Sequence, residues 1–62
     1  MIRDPRVDPK PGDEVRRGHW RKVVEVTDGK VRYMTSKGAC NWTTVDRWCK
    51  WAKKAVIFHA VN

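Results

Sequence analysis

The stretch His19-Trp20-Arg21-Lys22-Val23-Val24-Glu25-Val26-Thr27-Asp28-Gly29-Lys30-Val31-Arg32-Tyr33-Met34-Thr35 decides the fold. It reads as two strands, about 19–27 and 30–36, joined at Asp28-Gly29, the strongest short-range hairpin signal. A type I′ turn there pairs Thr27 with Lys30. The register that follows sets Val26 against Val31 and Val24 against Tyr33 on a core face. It sets Glu25 against Arg32 and Val23 against Met34 on a mostly solvated face. Trp20 then shares the core face, but so does the charged Lys22. That conflict points either to a core face that stops near residue 23 or to a β-bulge after it.

Working outward, Glu14-Val15-Arg16-Arg17 is a first short strand that Gly18 ends. Pro11-Gly12 before it suits a type II turn, with proline at the second position and glycine at the third. Residues 1–13 form an extended, proline-rich arm, because Asp4-Pro5, Asp8-Pro9 and Lys10-Pro11 disfavour helix and remove backbone donors. Its position at a terminus favours a floating arm over a wrapped one. On the other side, Lys37-Gly38 is a second turn signal and Ala39–Trp42 a fourth strand.

The period then changes. Thr43-Thr44-Val45-Asp46 matches a capping box with Thr43 as N-cap and Asp46 at N3. Val45, Trp48, Cys49 and Ala52 recur at i, i+3, i+4 and i+7, one apolar stripe of a helix over about 44–54. Arg47, Lys50 and Lys54 lie on the opposite side, and Lys53 and Lys54 complement the negative helix end. Residues 55–61 read as a closing strand covered on both faces. The expected fold is mainly β (α+β): one domain over residues 14–62, a small twisted antiparallel sheet or partly open barrel, with one helix and that closing strand.

The chain has 62 residues and a net charge of +7. A chain of this size buries only about 60% of the surface its unfolded form exposes, and its four tryptophans partly offset that. Residues 1–18 hold five basic and four acidic groups, 19–37 hold five and two, and 38–62 hold four and one. The basic excess therefore lies in the folded part, which favours an anionic partner. Two cysteines are too few for a secreted disulfide scaffold, and the opening residues form no apolar leader, so the expected location is the cytoplasm. No apolar run is long enough to span a membrane.

Trp51 is the first candidate for function. It sits beside Arg47, Lys50 and Lys54, where a base could stack on the indole while the cations meet phosphates. Packing over the sheet edge or against the arm is the structural alternative for the same ring. Arg16, Arg17, Arg21 and Lys22 form a possible second basic patch. Trp20, Tyr33 and Trp42 could in principle form an aromatic cage, though no spacing requires one. His19, Cys40, Cys49 and His59 match no zinc spacing. Asp13 and Glu14 are adjacent and point to opposite faces of a strand, so they are no carboxylate pair for catalysis. Neither an enzyme nor a cofactor is expected.

Pro11-Gly12-Asp13-Glu14-Val15 followed by a twisted hairpin resembles the entry into SH3-like small barrels, and the KOW-type nucleic-acid barrels have a similar Gly-Asp-x-Val opening. The likeness covers about residues 11–33. It departs where Gly18 runs almost directly into Trp20, since those barrels carry a longer glycine-bearing loop there. That leaves the ribosome- or polymerase-binding role of KOW domains unsupported. Taken whole, the chain resembles short proteins of bacterial prophages, through residues 4–9 (Asp-Pro-Arg-Val-Asp-Pro), the Pro-Gly-Asp entry and Trp48-x-x-Trp51-Ala52. This resemblance implies a context and names no activity.

The expectation is a non-enzymatic basic module for DNA or RNA with weak sequence preference. The alternative is an adaptor for a host or phage protein, with Trp20, Trp42 and Trp51 as anchors. The sequence leaves the oligomeric state open.

Overall fold

A computed structural model describes residues 4–61. Its elements are β1 (Glu14–Arg17), β2 (His19–Thr27), β3 (Lys30–Thr35), β4 (Cys40–Thr44), α1 (Val45–Ala52) and β5 (Ile57–His59). The strands form one antiparallel sheet in the order β4-β3-β2-β1-β5. Consecutive strands pair through short turns, and the last returns beside the first. Among the described residues β4 and β5 each pair with one neighbour, so the sheet is open and mainly β, with α1 packed on one face.

The turns explain the meander. Asp28 (φ 48°) and Gly29 (φ 72°) both occupy the left-handed region, as a type I′ turn requires, and Thr27 pairs with Lys30. At the entry to β1, the Asp13 N–H donates to the Lys10 carbonyl at 3.1 Å and Gly12 has φ 95°. This is the type II geometry expected of Pro11-Gly12. A Cβ on Gly12 would also sit 3.1 Å from Val61.

The hairpin departs from the simple register after Glu25. The ladder runs Val26↔Val31 and Glu25↔Arg32, then shifts, so that Val23 opposes Tyr33 and Lys22 opposes Met34. Val24 is the extra residue of a β-bulge and is 44% exposed, while Val23 is buried. The expected pairing of Val24 with Tyr33 is thereby corrected. The bulge swaps the faces of the N-terminal half of β2: Val23 and Arg21 turn to the helix side, and Trp20 and Lys22 to the other. The bulge resolves the Lys22 conflict by letting the lysine face water.

The core on the helix side consists of Val15, Val23, Val31, Tyr33, Trp48, Ala52 and Ala55, with Val26, Val45, Cys49, Trp51 and Phe58 packed around it. The α1 stripe supplies Trp48 and Ala52 as its buried members. Its N-cap is Thr44, whose hydroxyl accepts the Arg47 N–H at 3.1 Å, one residue beyond the expected Thr43. Thr43 still pairs with Val31 in the sheet, and the Val45 N–H donates to the Gly29 carbonyl, so the helix cannot start earlier. The helix ends at Ala52 with Lys53 as C-cap, short of residue 54. The closing strand is also shorter than residues 55–61 and is not covered on both faces. Val56 and Ile57 are exposed, and Phe58 alone of the three β5 residues turns inward.

The described part of the arm is docked on the helix side, which corrects the floating arm; residues 1–3 lie outside the described residues. Pro5 is buried and its carbonyl accepts the Trp48 Nε1–H at 2.9 Å. Arg6 stacks on Phe58 at 4.7 Å and donates to the Ala55 carbonyl at 2.8 Å. The Asp4 carboxylate accepts from the Arg6 backbone N–H and guanidinium, closing a tight turn over Pro5. Asp13 is fully buried: its two carboxylate oxygens accept the N–H groups of Lys10 and Val61, and its carbonyl accepts that of Val23.

Trp48→Phe removes the only donor the indole has and leaves the buried Pro5 carbonyl unpaired. The expected cost is about 2 kcal/mol, which lowers the melting temperature by roughly 10 °C in a chain this small. A melting curve indistinguishable from the parent's would show that this bond adds nothing. Acid tests the Asp4 turn. Hydrogen bonds from Arg6 hold the Asp4 carboxyl below its ordinary value of 3.8. A lowered folded-state pKa means its contribution is whole above that ordinary value and is lost as pH falls through the lowered one. Asp4→Asn should therefore flatten the stability profile below pH 3.8, measured by tryptophan fluorescence; an unchanged profile would remove Asp4 from the acid response.

Candidate nucleic-acid interface

The two faces of the sheet have different chemistry. On the helix side, the Arg21 guanidinium lies 4.1 Å from the Trp51 ring centre and 4.5 Å from that of Tyr33. Trp48 meets Trp51 at 5.4 Å with the rings tilted by 50°, and meets Tyr33 at 5.8 Å. Arg17 donates to the Trp51 carbonyl at 3.2 Å, near the end of α1, where a cation also complements the helix dipole. Trp51 is half-buried within this cluster, one face under Arg21 and its edge against the core. The packing account of Trp51 describes its position, though the partner over it is Arg21.

The eight residues singled out from the sequence fall in separate places. Arg17 and Arg21 join Trp51 on the helix side. Arg16 and Lys22 lie on the helix-free face, where Arg16 opposes Trp20 and Ile57, and Lys22 opposes Glu14 and Met34. The second basic patch is thus split between two faces by the alternation of the strands. Arg47, Lys50 and Lys54 are exposed but diverge. Arg47 borders the hairpin side, Lys50 borders a groove against Asp4, Arg6, Val7 and Lys53, and Lys54 lies past the helix end. Nor do Trp20, Tyr33 and Trp42 form a cage: Tyr33 faces the helix, while Trp20 and Trp42 occupy the other face. Cys40 is exposed on β4. Cys49 is half-buried on α1, its thiol pushed up by burial and by the nearby Asp46 carboxylate.

Trp42, which the sequence does not place in either basic patch, shares a groove with Lys30 and Arg47. It is 50% exposed, the most open of the four tryptophans, and stands on edge strand β4. Arg32 opposes it across the ladder, with its guanidinium 6.0 Å from the ring centre. The groove is open, with a volume of about 650 Å³, and Trp42 lines it with Thr27, Asp28, Lys30, Thr43, Thr44 and Arg47. The groove lies between the tip of the β2–β3 hairpin and the junction of β4 with α1. The bond from Val45 to the Gly29 carbonyl at 2.9 Å holds those two parts together. Lys30 and Arg47 line the same groove as the exposed indole, Arg32 faces the ring from β3, and Asp28 is the one acidic residue of the lining. The strand alternation that puts Trp42 and Thr44 on one face was available in the sequence. The start of α1 at Val45, which brings Arg47 to the groove, was not.

No family model, curated protein or solved structure matches the chain. Among the described residues no helix is long and apolar enough to cross a membrane.

Arg21→Ala should uncover Trp51 and shift the fluorescence emission to the red. The expected loss of stability is about 0.5–2 kcal/mol, the range of a cation over one or two partly desolvated rings. Unchanged emission would place Trp51 in contact with other groups.

Proposed function

We propose that the protein is a non-enzymatic binding module for nucleic acid, contacting phosphates with weak sequence preference. The observation that carries this reading is the groove at Trp42, where an open indole shares the lining with Lys30 and Arg47 and has the Arg32 guanidinium 6.0 Å from its ring centre. Cations that neutralise phosphates release condensed counterions, and an aromatic face is indifferent to base identity, so the combination gives affinity without a sequence code. The excess of basic over acidic residues, +7 for the chain, acts in the same direction over longer range. Of the residues first selected, Arg47 belongs to this groove. Lys50 adds positive potential from the helix, Lys54 from just beyond its end, and Arg16 and Lys22 from the uncovered sheet face.

Lys30→Glu combined with Arg47→Glu should weaken binding of a labelled oligonucleotide by at least about tenfold and flatten its salt dependence. Both side chains are exposed, so the melting curve should stay within about 0.5 kcal/mol of the parent. Lys50→Glu with Lys54→Glu should weaken binding less. Equal losses in the two double variants would spread the site over the helix and remove the groove's special place. Salt-insensitive capture of a protein, with no affinity for nucleic acid, would favour an adaptor using Trp20 and Trp42.

A further inference from the structure

We infer that the groove at Trp42 takes an unpaired base, so that the ligand is single-stranded nucleic acid in preference to a duplex. This inference rests on the nucleic-acid reading and specifies the ligand class of the same site. Three tryptophans are engaged by the protein: Trp48 is fully buried, Trp51 lies against Arg21 and Trp48, and Trp20 is half-buried beside Arg16. Trp42 alone is half open to solvent, and it lines a groove whose volume, about 650 Å³, is in the range of small-ligand sites.

The chemistry of stacking then selects the strand state. In a duplex each base has both faces against its neighbours and its edge against its complement. An indole can cover a base face only when that base is unpaired or is first taken out of the stack, which has its own cost. Intercalation into an intact duplex requires an apolar wedge that projects from the surface. Trp42 instead belongs to a regular strand, paired with Arg32, and lies at the side of a concavity. Its ring is therefore placed to receive a single base along the groove. Lys30 and Arg47 are placed on the same groove to meet the phosphates that flank a stacked base.

The experiment is fluorescence anisotropy with four labelled probes of equal length: oligo(dT), oligo(U), a DNA duplex and an RNA duplex, each at two salt concentrations. The protein is used whole, as parent, Trp42→Ala and Trp42→Phe. The expected result is binding of both single strands at least about tenfold tighter than either duplex. Trp42→Ala should lose about tenfold on single strands, the size of a base–aromatic stack, and nothing on duplexes. Trp42→Phe keeps a ring and should retain most of the affinity, which separates stacking from any change in folding. Equal affinity for single strands and duplexes, salt-dependent and indifferent to Trp42, would overturn the inference and leave the phosphate-binding reading standing. Absence of binding to all four probes at low salt would overturn both.

Discussion

The interior of this protein depends on the hydrogen bond from the Trp48 indole to the Pro5 carbonyl. A core this small needs a residue as large as tryptophan at its centre, and Trp48 is wholly buried against Tyr33 and Trp51. Tryptophan carries a donor that cannot be buried unpaired without a penalty of several kcal/mol. Its partner comes from outside the sheet and the helix. The arm provides it. Proline is well suited to the position, because it lacks an N–H that would itself require a partner. Once Pro5 is seated, Arg6 reaches Phe58 and the Ala55 carbonyl, and the arm covers the helix side down to Asp13. Asp13 then anchors the other end of the arm to both β2 and the C-terminal segment.

That docking fixes which surface remains free. Helix and arm both cover one face of the sheet, so the opposite face and the β4 edge are left to solvent. The bulge at Val24 completes the separation. It sends Arg21 to the helix side, where it closes over Trp51, and sends Trp20 and Lys22 outward. A single extra residue in β2 therefore decides that Arg21 covers the structural Trp51 and that Trp20 leaves the core face.

The hairpin, both glycine turns and the helical stripe were legible in the sequence, because each is local: Asp28-Gly29, Pro11-Gly12 and the Val45-Trp48-Cys49-Ala52 spacing act within a few residues. The failures are all non-local. The Val24 bulge was visible only as the misplaced charge of Lys22, which two explanations fitted equally. Thr43 and Thr44 are equally good caps, and the pairing of Thr43 with Val31 chose between them. The docked arm could not be read from its prolines, since what holds it is an indole 43 residues away. The same limit applies to the site. Arg47, Lys50 and Trp51 are neighbours in sequence, but the helix turns Trp51 inward. Trp42 joins Lys30 and Arg47 only when the hairpin tip meets the start of α1.

The groove also lies beside the open edge of the sheet. Edge strand β4, Cys40-Asn41-Trp42-Thr43-Thr44, contains no charge and no proline, the usual devices against edge-to-edge pairing. Lys30 and Arg32 stand on β3, on the paired side of β4, and Arg47 follows near the start of α1, so the positive charge lies beside the strand and not along its open edge. A bound polyanion would neutralise these cations and occupy the exposed face of Trp42 at the same time. The backbone of the β4 edge is therefore left open to pairing, while the face that carries Trp42 is the one bordered by positive charge.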